Sequence, residues 1–174
     1  MTADEARSTI SEPAHDMLRI YLNDHLAGAA AGAQLADRVA RANETKPAGR
    51  ELSLIARQIH EDHQALLDIM RALGVRPRRT FGWLGQAAEM AGRLKPNGRL
   101  VRRSPLAGLV EIEALRLGVL GKLQGWHVLA LVAEHDRRLD AESLAALANK
   151  AERQAEILEA ARLSAATPLT EPRR

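Results

Sequence analysis

The chain has 174 residues, the size of one ordinary domain with a sizeable core. Hydrophobic residues make up 46% and charged residues 27%, which excludes a disordered chain; aromatics at 2% leave the core to Leu, Ala, Val and Ile and favour helices over strands. Cysteine is absent, which excludes disulfides, Cys-ligated zinc, iron–sulfur clusters and a thiol nucleophile.

Residues 1–12 are polar and partly acidic, lack the apolar run of a secretory signal, and read as a disordered tail. No stretch reaches the roughly 20 apolar residues that span a bilayer. The expectation is a cytoplasmic protein without a membrane span.

Four segments have helical periodicity between clear breakers. The first runs from about Pro13 to Arg41, with Ser11 as its N-cap. The second runs from about Arg50 to Leu73 and stops at Gly74, the residue type expected just past a helix end. The third starts at Ser104-Pro105, a cap followed by a first-turn proline, and continues to about Arg138. The fourth follows Asp140 as N-cap and lasts to about Ala165, leaving 166–174, with Pro168 and Pro172, as a flexible tail. The class is all-α.

Short links join helices one and two and helices three and four, and such links make antiparallel neighbours. Residues 74–104 form a long crossover between helices two and three, with a short helix around Phe81 to Arg93. A helix of about 24 residues is about 36 Å long, so a link of this size returns the chain to its starting end. The expected fold is an antiparallel four-helix bundle over 13–165.

The crossover is also where charge concentrates. It holds eight basic side chains (Arg76, Arg78, Arg79, Arg93, Lys95, Arg99, Arg102 and Arg103) against Glu89 alone, a net of +7 in a chain of net +3, which leaves −4 for the rest. Arg78, Arg79, Arg99, Arg102 and Arg103 are candidate anion contacts, with Phe81 and Trp83 near enough in sequence to stack on bases. Through 76–103 the chain could meet nucleic acid without sequence preference or an acidic partner; the competing reading pairs these arginines with the acidic body of the bundle.

Alternating steps of three and four give the seam of each helix. Helix one offers Leu18, Tyr21, His25, Gly28, Gly32, Leu35 and Val39; helix two offers Leu52, Ile55, Ile59, Asp62, Leu66, Ile69 and Leu73. Helix three offers Leu106, Val110, Glu113, Leu117, Leu120, Gln124, His127 and Leu131; helix four offers Leu144, Leu147, Ala151, Gln154, Leu158, Ala161 and Ala165. Every seam carries a polar residue well inside it: His25, Asp62, Glu113 and Gln154. A buried carboxylate costs several kcal/mol unless paired, protonated or metal-bound, so one residue from each helix points to a shared polar layer, with Tyr21 capping it one turn from His25.

In this layout the chain resembles a divergent member of the ferritin-like superfamily across 13–165. That resemblance implies a Glu from each of two helices and Glu-x-x-His from the other two. Here His25 stands in place of the first Glu and Glu113 matches the second. Asp62 is followed three residues on by Ala65, and Gln154 by Ile157, so the di-iron ligand set is degenerate.

Two arrangements satisfy the remaining quartet. One is a closed hydrogen-bond layer without any cofactor, in which a protonated His25 neutralises one carboxylate and Gln154 donates to the other. The other is a single Mn, Fe or Zn ion held by His25, Asp62 and Glu113, with Gln154 or water completing the shell and His63 at its edge. Gly28 and Gly32 in helix one and Gly118, Gly121 and Gly125 in helix three imply either close packing of those helices or a self-association face, because glycine costs a helix up to about 1 kcal/mol relative to alanine. No nucleophile–base set, GxSxG elbow or phosphate-binding loop is present. The reading is a non-enzymatic, self-associating bundle.

Overall fold

The computed structural model describes residues 10–78 and 106–170. They form four α-helices, α1 (Glu12–Ala42), α2 (Gly49–Ala72), α3 (Ala107–Ala133) and α4 (Ala141–Ala166), followed by a 3₁₀ turn at Thr167–Leu169. Among the described residues there is no extended strand, and no helix is long and apolar enough to cross a membrane.

The helix ends follow from local chemistry. Ser11 Oγ accepts from the Ala14 amide, 3.4 Å away, at the start of α1, and Asn43 closes that helix by donating from Nδ2 to the Val39 carbonyl at 2.8 Å. At the end of α2, Gly74 takes φ +70°, a left-handed conformation that costs glycine nothing sterically. Two amides then return to the helix, Gly74 N–H to Arg71 O (3.1 Å) and Val75 N–H to Met70 O (2.8 Å), and both Val75 and Met70 are buried. Asp140 caps α4 by accepting from the Glu142 and Ser143 amides at 3.3 and 3.1 Å.

Helix three is shorter than expected, ending at Ala133 instead of Arg138. The reason is Asp136, which is fully buried. Its carboxylate accepts from the Arg138 backbone amide at 3.1 Å and from the Arg138 guanidinium at 2.6 and 2.9 Å, giving the chain a turn that competes with the next helical bond. At the other end, residues 166–169, expected to be a flexible tail, extend α4 and form the 3₁₀ turn. The Ser104-Pro105 cap, the short helix at 81–93 and most of the 74–104 crossover lie outside the described residues, as do the tail residues 1–9 and 171–174.

α1 packs against α2 and α3, and α4 packs against α3 and α2. Contacts fix how the helices meet. His15 Nε2 donates to the Leu73 carbonyl (3.2 Å), and Asp37 pairs with His60 (3.0 Å). Arg116 meets Glu159 (3.1 Å), and Arg38 meets Glu111 (3.2 Å). Leu22, Val39, Leu52, Ile55, Met70, Ile112, Leu129, Leu144 and Leu158 form the centre of the core, each 2% exposed or less.

The α2 and α4 seams match the expected ones closely. In α1 the buried stripe drifts to Leu18, Leu22, Ala33, Ala36 and Val39, leaving Tyr21, His25, Gly28 and Gly32 half-buried. In α3 it is Ile112, Leu115, Val119, Leu123, Trp126 and Leu129, while the expected seam residues Leu117 and Leu131 are 67% and 63% exposed. α3 is apolar on nearly every side, so hydrophobic spacing does not select one face of it.

Candidate functional site

The α2 stripe that buries Ile55, Ile59 and Leu66 also carries Asp62 inward, where it is 2% exposed. From α4, Gln154 reaches the same point at 1% exposure; its Nε2 donates to Asp62 Oδ2 at 3.2 Å and to Gln58 Oε1 at 3.1 Å. Two of the four expected quartet members therefore meet.

Their cations come from residues that the seam spacing did not select. Lys122 of α3 donates from Nζ to Asp62 Oδ2 and, at 2.6 Å, to Gln154 Oε1. Lys150 of α4 places its Nζ 2.5 Å from Asp62 Oδ1 and 3.8 Å from Glu61. Both ammonium ends reach the buried acid, and the Lys122 and Lys150 side chains are 16% and 23% exposed. One buried carboxylate thus faces two ammoniums and one amide, with Oδ2 accepting from Lys122 and Gln154 and Oδ1 ion-paired with Lys150.

Burial disfavours the Lys122 ammonium and moves its pKa below the ordinary lysine value of 10.5; Asp62 opposes this, and the second ammonium of Lys150 adds to it. Desolvating three charges costs several kcal/mol per ion, which close pairing offsets. Removing the acid would leave two like charges facing each other.

His25 and Glu113 are elsewhere, a correction to the expected quartet. His25 donates from Nδ1 to the Tyr21 carbonyl (3.2 Å), and its ring lies 4.2 Å from that of Tyr21. The imidazole sits over Gly125 in the α1–α3 contact. Tyr21 accordingly caps His25 and not the acid; burial raises its pKa. Glu113 faces outward toward Arg162, at 3.5 Å, and its side chain is 43% exposed. Nine residues separate it from Lys122, which is about 13 Å along a helix.

The ligand trio His25, Asp62 and Glu113 is therefore not assembled, and among the described residues no group of three or more His, Asp or Glu is placed to hold a metal ion. The physical reason is the α3 seam: rotating that helix to bury Ile112 and Leu115 turns Glu113 out and brings Lys122 in. His63 stays apart too; burial and the neighbouring His60 lower its pKa, and His60 pairs with Asp37 on the α1–α2 surface.

Close packing explains one glycine of the five. A Cβ on Gly125 would stand 2.7 Å from His25 Cδ2, whereas Gly28, Gly32, Gly118 and Gly121 have open space at that position. Of the basic collar, Arg76 and Arg78 are described and exposed. Buried Asn23 holds this strand of chain against α1, accepting from the Arg78 amide at 2.6 Å and donating to the Arg76 carbonyl at 3.4 Å. Arg79, Arg99, Arg102 and Arg103 lie outside the described residues. A cavity of about 440 Å³ opens at the far end of the bundle beside Pro47, Leu52, Leu109 and Ala161, but Leu52 is ten residues, about 15 Å, from Asp62 along α2.

The sequence does carry a signal for the lysine. Lys122 is the one charged residue between Arg116 and Glu134, in an otherwise apolar stretch. A lone ammonium there has to find an acid, and Asp62 is the acid on a clean buried seam. No protein-family model, curated protein or solved structure matches the chain.

Proposed function

We propose that this chain is a non-enzymatic structural or binding module: an antiparallel four-helix bundle of ferritin-like layout whose central acid is neutralised from within. The observation that carries this reading is Asp62 held between the ammoniums of Lys122 and Lys150. In a metal-binding bundle of that layout, carboxylates gather around a cation; here the cations are covalently part of the chain. The layout is supported by contacts taken two at a time, His15–Leu73 with Asp37–His60, His25–Gly125 with Arg38–Glu111, and Arg116–Glu159 with Lys122–Gln154, in which residue numbers fall along one helix as they rise along its neighbour. A cytoplasmic location and self-association complete the reading, the latter supported by the uncharged outer face of α3 at Leu117, Gly121, Val128 and Leu131.

Elemental analysis tests it directly. Protein purified after growth with Mn, Fe and Zn should carry metal well below one equivalent, unchanged in Asp62→Ala and Glu113→Ala. One equivalent in the wild type, lost in Asp62→Ala, would establish the mononuclear metal protein instead. A second reading, polyanion binding through 76–103, is favoured by the exposed Arg76 and Arg78. It requires duplex DNA binding that weakens steeply with salt and on changing Arg102 and Arg103 to Ala; salt-independent or absent binding removes it.

A further inference from the structure

The cations at Asp62 are of the type this chain uses least. Of its 25 basic residues only four are lysine, Lys46, Lys95, Lys122 and Lys150, and two of the four converge on one acid. A guanidinium would suit a carboxylate as a bidentate fork and never releases its proton; an ammonium is compact and can release one. At this point the chain has the cation that can become a neutral amine.

The geometry favours that change at Lys122. It faces Asp62 from α2 and Lys150 and Gln154 from α4, while α1 brings His25 to Gly125, three residues along α3. Glu61, the other acid at hand, reaches Lys150 at 3.8 Å and is exposed. Fully ionised, Asp62 and its two lysines carry a net positive charge in a half-dry setting. Loss of one proton from Lys122 leaves a neutral Asp62–Lys150 pair. The neutral amine keeps two N–H groups, one for Asp62 Oδ2 and one for Gln154 Oε1, so no hydrogen bond is lost and a lone pair is freed. Burial, the largest influence, pushes the equilibrium this way against the pull of Asp62, and the Lys150 charge adds to it.

We propose that Lys122 is a nucleophilic amine that condenses with small aldehydes. The Nζ lone pair forms a C–N bond to the carbonyl carbon as the C=O π pair moves to oxygen. The carbinolamine then loses water, its oxygen leaving with the two former amine hydrogens, to give the imine. Taking up one proton, the imine regains a single N–H directed at Asp62, which stabilises the cation. The limited exposure of the side chain, 16%, restricts the partner to small carbonyl compounds. The inference rests on the same clamped acid as the proposed function but not on the lack of a metal, which elemental analysis tests separately.

Brief reductive methylation of the folded full-length chain with formaldehyde and cyanoborohydride, between pH 6.5 and 9, reads out all four lysines by peptide mass. Each unit by which a lysine pKa is lowered gives about tenfold more free amine near neutrality. Lys122 should therefore label faster at pH 7 than exposed Lys46, although its side chain is only 16% exposed. Lys150→Met should slow Lys122 by removing the neighbouring charge, and Lys122→Arg should abolish the fast phase. Rates that simply follow exposure, with Lys122 slower than Lys46, overturn the proposal in the wild type alone; so does a fast phase located on Lys150.

Discussion

Deleting the acid at the centre of the bundle should harm the fold more than deleting either of its cations. In Asp62→Asn the Lys122 and Lys150 ammoniums keep their positions around a neutral amide, each within contact distance of it. A buried ion pair broken on one side typically costs about 3–5 kcal/mol, and here one change strands two like charges. For a domain of this size that corresponds to a fall in Tm of roughly 6–20 °C. Lys122→Met or Lys150→Met leaves a one-to-one pair with Asp62, and each should cost only about 1–2 kcal/mol, the scale of the hydrogen bonds removed. The double Lys→Met variant strands the carboxylate itself and should again reach about 3–5 kcal/mol, more than the two single effects added together. Urea unfolding at pH 7 with an unchanged slope measures each corner of this cycle. If Asp62→Asn costs no more than Lys122→Met, or if the two lysine effects add, the carboxylate is not shared and the reasoning fails.

Further outcomes follow from the same contacts. Because burial lowers the Lys122 pKa below 10.5, the folded state gives up that proton before the unfolded chain does. The stability of wild type relative to Lys122→Met should therefore rise as pH climbs from 7 towards 10, read from urea midpoints; a fall would reverse the sign of the burial effect. Gly125→Ala should destabilise by about 1–3 kcal/mol, since its Cβ meets the His25 ring, and His25→Ala in that background should recover most of the loss. Gly118→Ala and Gly121→Ala, with open space at Cβ, should instead stabilise by about 0.5–1 kcal/mol. Asp136→Ala strips the nearly buried Arg138 of its carboxylate at the bundle end, and a loss of about 3 kcal/mol is expected in the same assay.

Where the helices begin and end was largely legible in the sequence, because caps and breakers act locally. Ser11, Gly74 and Asp140 each do at close range what their chemistry dictates. Faces were legible only where the pattern had contrast. In α2 and α4 polar residues bound the apolar stripe, and the spacing placed Asp62 and Gln154 correctly in the interior. α3 offers apolar residues all round, so the spacing fitted a false seam through Glu113 and Leu117 as readily as the true one through Ile112 and Trp126. That rotation turned Glu113 into a ligand and hid Lys122. In α1 the small side chains of AGAAAGA weaken the contrast similarly, and His25 falls at the half-buried margin. The early end of α3 depended on Asp136 turning back onto Arg138, a competition between side chain and helix that periodicity does not register.

With only four lysines in the chain, ¹⁵N NMR of the side-chain Nζ groups can observe both partners of Asp62 in one spectrum. At low temperature two of the four signals should be protected from solvent exchange, and Asp62→Asn should shift and expose both together. Two signals that stay unprotected, or a substitution that moves only one of them, would mean that the acid does not hold two ammoniums.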